Sequence, residues 1–144
     1  MQIKIKRLTD TAKIPTRGSE YAAGYDMYAD TIRRVAVPPH RTANIFTGIA
    51  MEIPTGYFGA VYARSGLATK QGLRPPNCVG VIDSDYRGNI GIAMHNDSPD
   101  VQIIEPHERI AQIVIQPHLD VEFVEDELSE TERGQNGFGS TGRK

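Results

Sequence analysis

Cysteine is nearly missing from this chain, with only Cys78 among 144 residues. A lone cysteine closes no disulfide within the chain and builds no cysteine-based zinc site, and it suits a reducing compartment. Neither sign of charge is in excess: 16 Lys and Arg stand against 18 Asp and Glu, a net −2. That argues against a nucleic-acid platform or an anionic-membrane binder, which need a basic surplus. Long hydrophobic runs are lacking too. No stretch approaches the roughly 18 apolar residues of a membrane span, and Met1–Lys6 lacks the apolar core of a signal peptide. The chain therefore reads as soluble, intracellular and cytoplasmic.

Familiar cofactor motifs are also missing. There is no G-x-x-x-x-G-K-[ST] and no H-E-x-x-H. Gly137–Gly142 matches G-x-G-x-x-G, but only Arg143 and Lys144 follow it. The dinucleotide reading needs a helix there, so it is rejected. His40, His95, His107 and His118 are scattered and read as surface or structural residues.

What is present is frequent turns and short strands. Gly and Pro number 14 and 9, and they are spread along the chain, so turns recur. Between them the apolar residues alternate. Met1, Ile3 and Ile5 form one such set, Ile90, Ile92 and Met94 a second, and Leu119, Val121 and Phe123 a third. That is the pattern of strands with one buried face. Ile45–Ile53, Tyr57–Ala63 and Ile110–Ile115 are more continuously apolar, as in strands covered on both faces. One short helix is expected at Gly66–Gln71, with Ser65 as N-cap and Gly72 just past its end. Together these predict an all-β sandwich or barrel. Residues 1–124 form the β domain. Residues 125–144 are acidic and then glycine-rich, cannot supply core, and are expected to be a mobile arm.

Four places within the domain could carry chemistry, and each has a plainer reading. Ala63–Ala68 sets Arg64 and Ser65 where a strand gives way to a helix N-terminus, which suits phosphate; a capped helix with a solvated Arg fits equally. Gly80–Gly88 puts Asp83, Asp85 and Tyr86 on a turn between two strands, Val79–Ile82 and Asn89–Met94, expected to pair as a hairpin; the plain alternative is a turn rich in turn formers. Asp26 lies in the strand-like run Ala23–Ala29, where a charge must be exposed, paired or near a metal; an edge-strand Asp is the bland option. Gln112, inside Ile110–Ile115, wants partners for its amide, and a core hydrogen bond would satisfy it. The tail Arg133–Gly142 either folds over a ligand or is a frayed terminus.

Taken in order, Ala23–Ala29, Ala63–Ala68, Asn77–Gly88, Arg109–Gln112 and Arg133–Gly142 resemble the five motifs of the homotrimeric dUTPases. The resemblance runs from about residue 23 to 142, and its third and fifth motifs are long enough to be specific. It implies a jelly-roll or distorted β-barrel subunit, a homotrimer with shared active sites, and Mg²⁺-assisted hydrolysis of dUTP to dUMP and pyrophosphate. That reaction lowers dUTP and supplies dUMP for dTMP synthesis. By the same resemblance Asp83 activates the water that attacks the α-phosphorus, and Tyr86 lies beneath the deoxyribose. Asn77 and the backbone at Val81 read the uracil edge. Arg64, Ser65, Gly66 and Gln112 bind phosphate, and Asp26 holds Mg²⁺ through water. In the arm, Phe138 stacks on uracil beside Gly139, while Arg133, Ser140 and Thr141 reach the terminal phosphate.

Two positions depart from the family pattern. Ala63 stands where Pro or Gly is usual, and Asn136 where Gly is usual. Asn tolerates a left-handed backbone, so arm closure is expected to survive. Rival readings are a dCTP deaminase-like enzyme, whose glutamate would stand at Ala93, a nucleotide-sensing regulator on the same fold, and a purely structural β-trimer.

Overall fold

A computed structural model describes residues 1–77 and 79–137. Cys78, Phe138, Gly139, Ser140 and Thr141 lie outside the described residues, so the roles expected of the last four find no placement here. Twelve strands run through the described residues: β1 (Lys4–Arg7), β2 (Thr16–Arg17), β3 (Tyr25–Tyr28), β4 (Val35–Val37), β5 (Thr42–Phe46), β6 (Ile49–Glu52), β7 (Tyr57–Ala63), β8 (Leu73–Arg74), β9 (Gly80–Ile82), β10 (Gly91–Asn96), β11 (Gln102–Ile104) and β12 (Arg109–Pro117). They form a five-stranded sheet in the order β2-β3-β12-β7-β9, a three-stranded sheet β5-β10-β8, and the pairs β1-β6 and β11-β4. Every pairing is antiparallel, and chain neighbours mostly belong to different sheets. The fold is all-β and jelly-roll-like, with one short helix.

The alternating pattern explains the core. Ile90, Ile92 and Met94 point inward and are buried, together with Met27, Ile45, Ile49, Leu73, Ile104 and Ile110. Each such side chain contributes about 1.5–3 kcal/mol by leaving water. The continuous runs also hold: Tyr57–Ala63 is β7, and Ile110–Ile115 lies inside β12.

Four expectations need correction. Ile45–Ile53 is two strands, β5 and β6, because Gly48 turns the chain with φ of 67°. A side chain at Gly48 would strike Asp30 and Ala12, so both the space and the backbone angle require glycine there. Val79–Ile82 and Asn89–Met94 do not pair as a hairpin. β9 pairs with β7, while β10 pairs with β5 and β8, so the Asp83–Gly88 turn carries the chain from one sheet to another. Ser65 does not cap the helix. The helix is a π-type turn at Leu67–Gln71, Gly66 before it already has helical angles, and no side chain caps it. Its far end is as expected, with Gly72 left-handed at φ 65°. Lastly, Leu119, Val121 and Phe123 form no strand and stand 86%, 60% and 94% exposed. Alternation specifies a face to be covered, and among the described residues of one chain nothing covers this one.

Candidate active site

Three neighbouring strands of the large sheet build one polar cavity of about 230 Å³. Asp26 comes from β3, Gln112 from β12, and Arg64, Ser65 and Gly66 from the turn that follows β7. In register, Gln112 faces Asp26 on one side and Tyr62 on the other. Its amide donates to the Ala63 carbonyl at 3.0 Å, which fixes the chain just before Arg64. Gly24 makes room for that side chain, since an added methyl would run into the Gln112 amide. The helix begins where Ala68 N–H donates to the Arg64 carbonyl at 3.0 Å, leaving the amides of this turn near the cavity.

Asp26 is not an edge-strand residue. β2 lies on one side of it and β12 on the other, and its side chain is only 13% exposed. It is paired twice. Arg64 Nε donates to Oδ1 at 2.9 Å, and Arg109 Nη1 donates to Oδ2 at 3.2 Å. Arg64 Nη1 also donates to the Arg109 carbonyl at 3.1 Å. One carboxylate therefore meets two guanidiniums, and the cavity keeps a positive excess suited to an anion.

A second cavity, about 130 Å³, is lined by Asn77, Gly80, Val81 and Ala93 among others. Gly80 packs closely here: a methyl on it would come within 3.2 Å of both the Asn77 amide and Val61, which would have to give by a few tenths of an ångström. Asp83 and Tyr86 line neither cavity. Asp83 is exposed on the crossing turn, where its carbonyl accepts from Tyr86 N–H at 3.2 Å. The Tyr86 ring folds over Gly88, and its hydroxyl donates to the Asn89 carbonyl at 3.0 Å. Arg133 stands exposed on the arm and donates to the Asn136 carbonyl at 3.0 Å. The left-handed residue of that stretch is Gly134, with φ 50°, and not Asn136. A larger apolar cavity, about 360 Å³ and lined by Met1, Ile3, Ile5, Ile14 and Ile115 among others, contains none of the expected site residues.

The structure thus brings Asp26, Arg64, Ser65, Gly66 and Gln112 together, gathers Asn77 and Val81 elsewhere, and leaves Asp83, Tyr86 and Arg133 outside both cavities. Arg109 was missed as a site residue. Strict alternation places residues three apart on opposite faces, so Gln112 gave no reason to expect it in the cavity.

The dUTPase family model matches residues 10–142. The chain belongs to the dUTPase family. It is 46% identical to the deoxyuridine 5'-triphosphate nucleotidohydrolase of Nautilia profundicola over 144 residues, covering 99% of this chain and all of that protein. It also resembles a dUTPase of phage 80alpha, with a TM-score of 0.84 and 32% identity, covering 96% of this chain and 98% of the other. A dUTPase from phage phi11 of S. aureus, described with a coordinated structural Mg(II) ion, gives a TM-score of 0.78 at 27% identity, covering 89% and 98%. No helix among the described residues is long and apolar enough to cross a membrane.

Could the residues present hold a magnesium ion? Among the described residues there is no group of three or more His, Cys, Asp or Glu suited to a metal. Asp26 is the carboxylate of the polar cavity, and both its oxygens accept from arginine. With both carboxylate oxygens engaged and a net positive charge, the site would hold Mg²⁺ only through water and beside a bound triphosphate, since the ion keeps several waters and takes most other ligands from phosphates. It does not suit a metal that needs a protein cage.

Proposed function

We propose that this chain hydrolyses dUTP to dUMP and pyrophosphate, as the dUTPase family does. The observation that carries the reading is the polar cavity in which Asp26 of β3, Gln112 of β12 and Arg64, Ser65 and Gly66 of the turn after β7 converge. Arg64, the turn amides and Gln112 bind the triphosphate. Asp26 would hold Mg²⁺ through water, and the ion would supply positive charge to offset that of the leaving pyrophosphate. Asp83 takes a proton from the water that attacks the α-phosphorus. An exposed carboxylate has the freedom to meet that water once substrate is bound. Asn77 and Val81 recognise the uracil edge, and the Tyr86 ring, braced over Gly88, excludes a ribose 2′-hydroxyl.

The active unit is a homotrimer with shared sites. Two features support this. The phosphate and base cavities of one chain have no lining residue in common, and Asp83 belongs to neither. The segment after β12 presents apolar residues that the described residues of its own chain leave uncovered. Residues 125–144 act as an arm, and Arg133, Phe138, Gly139, Ser140 and Thr141 close the site and exclude water. The single cysteine suits cytoplasmic conditions.

Ala93 bears on the rival. It lines the base cavity at the position where a dCTP deaminase would carry its glutamate, and a methyl group moves no proton. Hydrolysis in ¹⁸O-water tests the chemistry: label should enter the α-phosphate of dUMP. Label found only in pyrophosphate would refute attack at the α-phosphorus, and ammonia released from dCTP would replace this reading with deamination.

A further inference from the structure

Arg109 reaches the phosphate cavity through an irregularity in the sheet. Along β12, Gln112 pairs with Asp26 and Ala111 with Met27, but Arg109, not Ile110, pairs with Tyr28. Two residues of β12 therefore span one step of β3, a β-bulge at Ile110. Asp26 and Tyr28 share a face of β3, being two residues apart. The bulge consequently turns Arg109 onto the face that carries Asp26 and Gln112. Both Ile110 and Ala111 remain fully buried, so the core gives up nothing in the exchange.

The result is a divided carboxylate. Oδ1 of Asp26 accepts from Arg64 Nε, and Oδ2 from Arg109 Nη1. Arginine and a carboxylate, left to themselves, favour a two-pronged pair that uses both oxygens. Arg64 does not adopt that arrangement here: its Nη1 turns to the Arg109 carbonyl, while Oδ2 accepts from Arg109. Among the described residues the hydrogen bonds of Arg64 are one to Oδ1 and one to the Arg109 carbonyl, out of five N–H donors. The remaining donors are available to the cavity.

We propose that Arg109 is a positioning residue, aimed by the Ile110 bulge, which occupies Oδ2 of Asp26 and so keeps the Arg64 guanidinium open to phosphate oxygens. The inference rests on the phosphate cavity of the dUTPase reading. It makes Asp26 an orienting group for Arg64 as well as an acceptor toward a hydrated metal.

The test uses the full chain and two probes, inorganic tripolyphosphate and a non-hydrolysable dUTP analogue, titrated calorimetrically in EDTA so that no metal contributes. Wild-type turnover of dUTP is measured separately, with Mg²⁺ and without EDTA. Arg109→Gln should weaken both probes by about tenfold, the loss expected when a charge-assisted contact is misdirected. Arg109→Lys, which still offers a cation to Oδ2, should recover most of that affinity. In an Asp26→Asn background Arg109→Gln should cost little more, because Arg109 acts through Asp26. Equal binding by wild type and Arg109→Gln overturns the proposal, as does an undiminished Arg109→Gln effect without the Asp26 carboxylate, which would mean direct phosphate contact. A wild type that binds neither probe also overturns it. A wild type that binds tripolyphosphate but turns over no dUTP sinks the functional reading alone, and the variants still decide the role of Arg109.

Discussion

Ile90, Ile92 and Met94 alternate along the chain in the same way as Leu119, Val121 and Phe123, yet their surroundings are opposite. The first three are at most 3% exposed, held in and beside β10 between β5 and β8. The second three are at least 60% exposed and follow the point where β12 ends at Pro117. His118 N–H still donates to the Gly56 carbonyl at 3.0 Å, and beyond it none of the described residues joins a sheet. An alternating pattern therefore states that a face needs cover, but not which chain supplies it. In the first region the same polypeptide does. In the second, the proposed trimer assigns the cover to another copy.

That contrast can be broken most severely at the chemistry. If the folded domain performs catalysis and the arm only closes it, Asp83→Asn should slow turnover by about 10²–10⁴-fold, the usual worth of a positioned base. Binding of a non-hydrolysable dUTP analogue should persist. A fully active Asp83→Asn protein would remove Asp83 from the mechanism. The next effect is on stability. Met94→Ala should cost about 2–5 kcal/mol in denaturant unfolding, because the core cannot collapse fully into the gap. Phe123→Ser should leave the fold of each subunit intact and instead shift sedimentation toward smaller species. Unchanged sedimentation would mean that no partner covers the segment.

Removal of residues 133–144 should lower activity about 100-fold, by loss of alignment and water exclusion, with no change in unfolding midpoint. Normal turnover by that truncated protein would make the arm a bystander. The smallest effect lies on the outer pair Lys4–Glu52, joined at 3.0 Å where β1 meets β6. The hydrogen bond and charge of Lys4 lower the Glu52 carboxyl below its ordinary 4.5. The pair's contribution is thus present above pH 4.5 and is lost as pH falls through the lowered value. Lys4→Ala should flatten the acid limb of a melting-temperature profile slightly, as befits an exposed ion pair. An identical acid limb would show that the pair contributes nothing.

Much of the fold was readable because burial follows period. Tyr57–Ala63 was recognised as a strand to the residue, and the inward faces around Ile92 and Ile113 followed from apolar runs. The need for glycine at 48 is not legible in the sequence, because the atoms that exclude a side chain there belong to Asp30 and Ala12, which are distant along the chain. The supposed hairpin failed for a similar reason: a turn sequence reports local bending, whereas strand partners depend on which sheet has an open edge. For the site, motif order singles out Asp26, Arg64, Ser65, Gly66 and Gln112, and one cavity is lined by all five. Arg109 was hidden by a bulge. No single residue type marks a bulge at Ile110, since it is visible only in how β12 registers against β3.

The most direct measurement is pyrophosphate release by the purified protein with Mg²⁺, compared across dUTP, dTTP, dCTP and UTP. The account predicts release from dUTP alone, with the base read at Asn77 and Val81 and the sugar read by Tyr86. Equal release from UTP or dTTP would contradict those assignments, and no release from any of the four by folded protein would contradict the function.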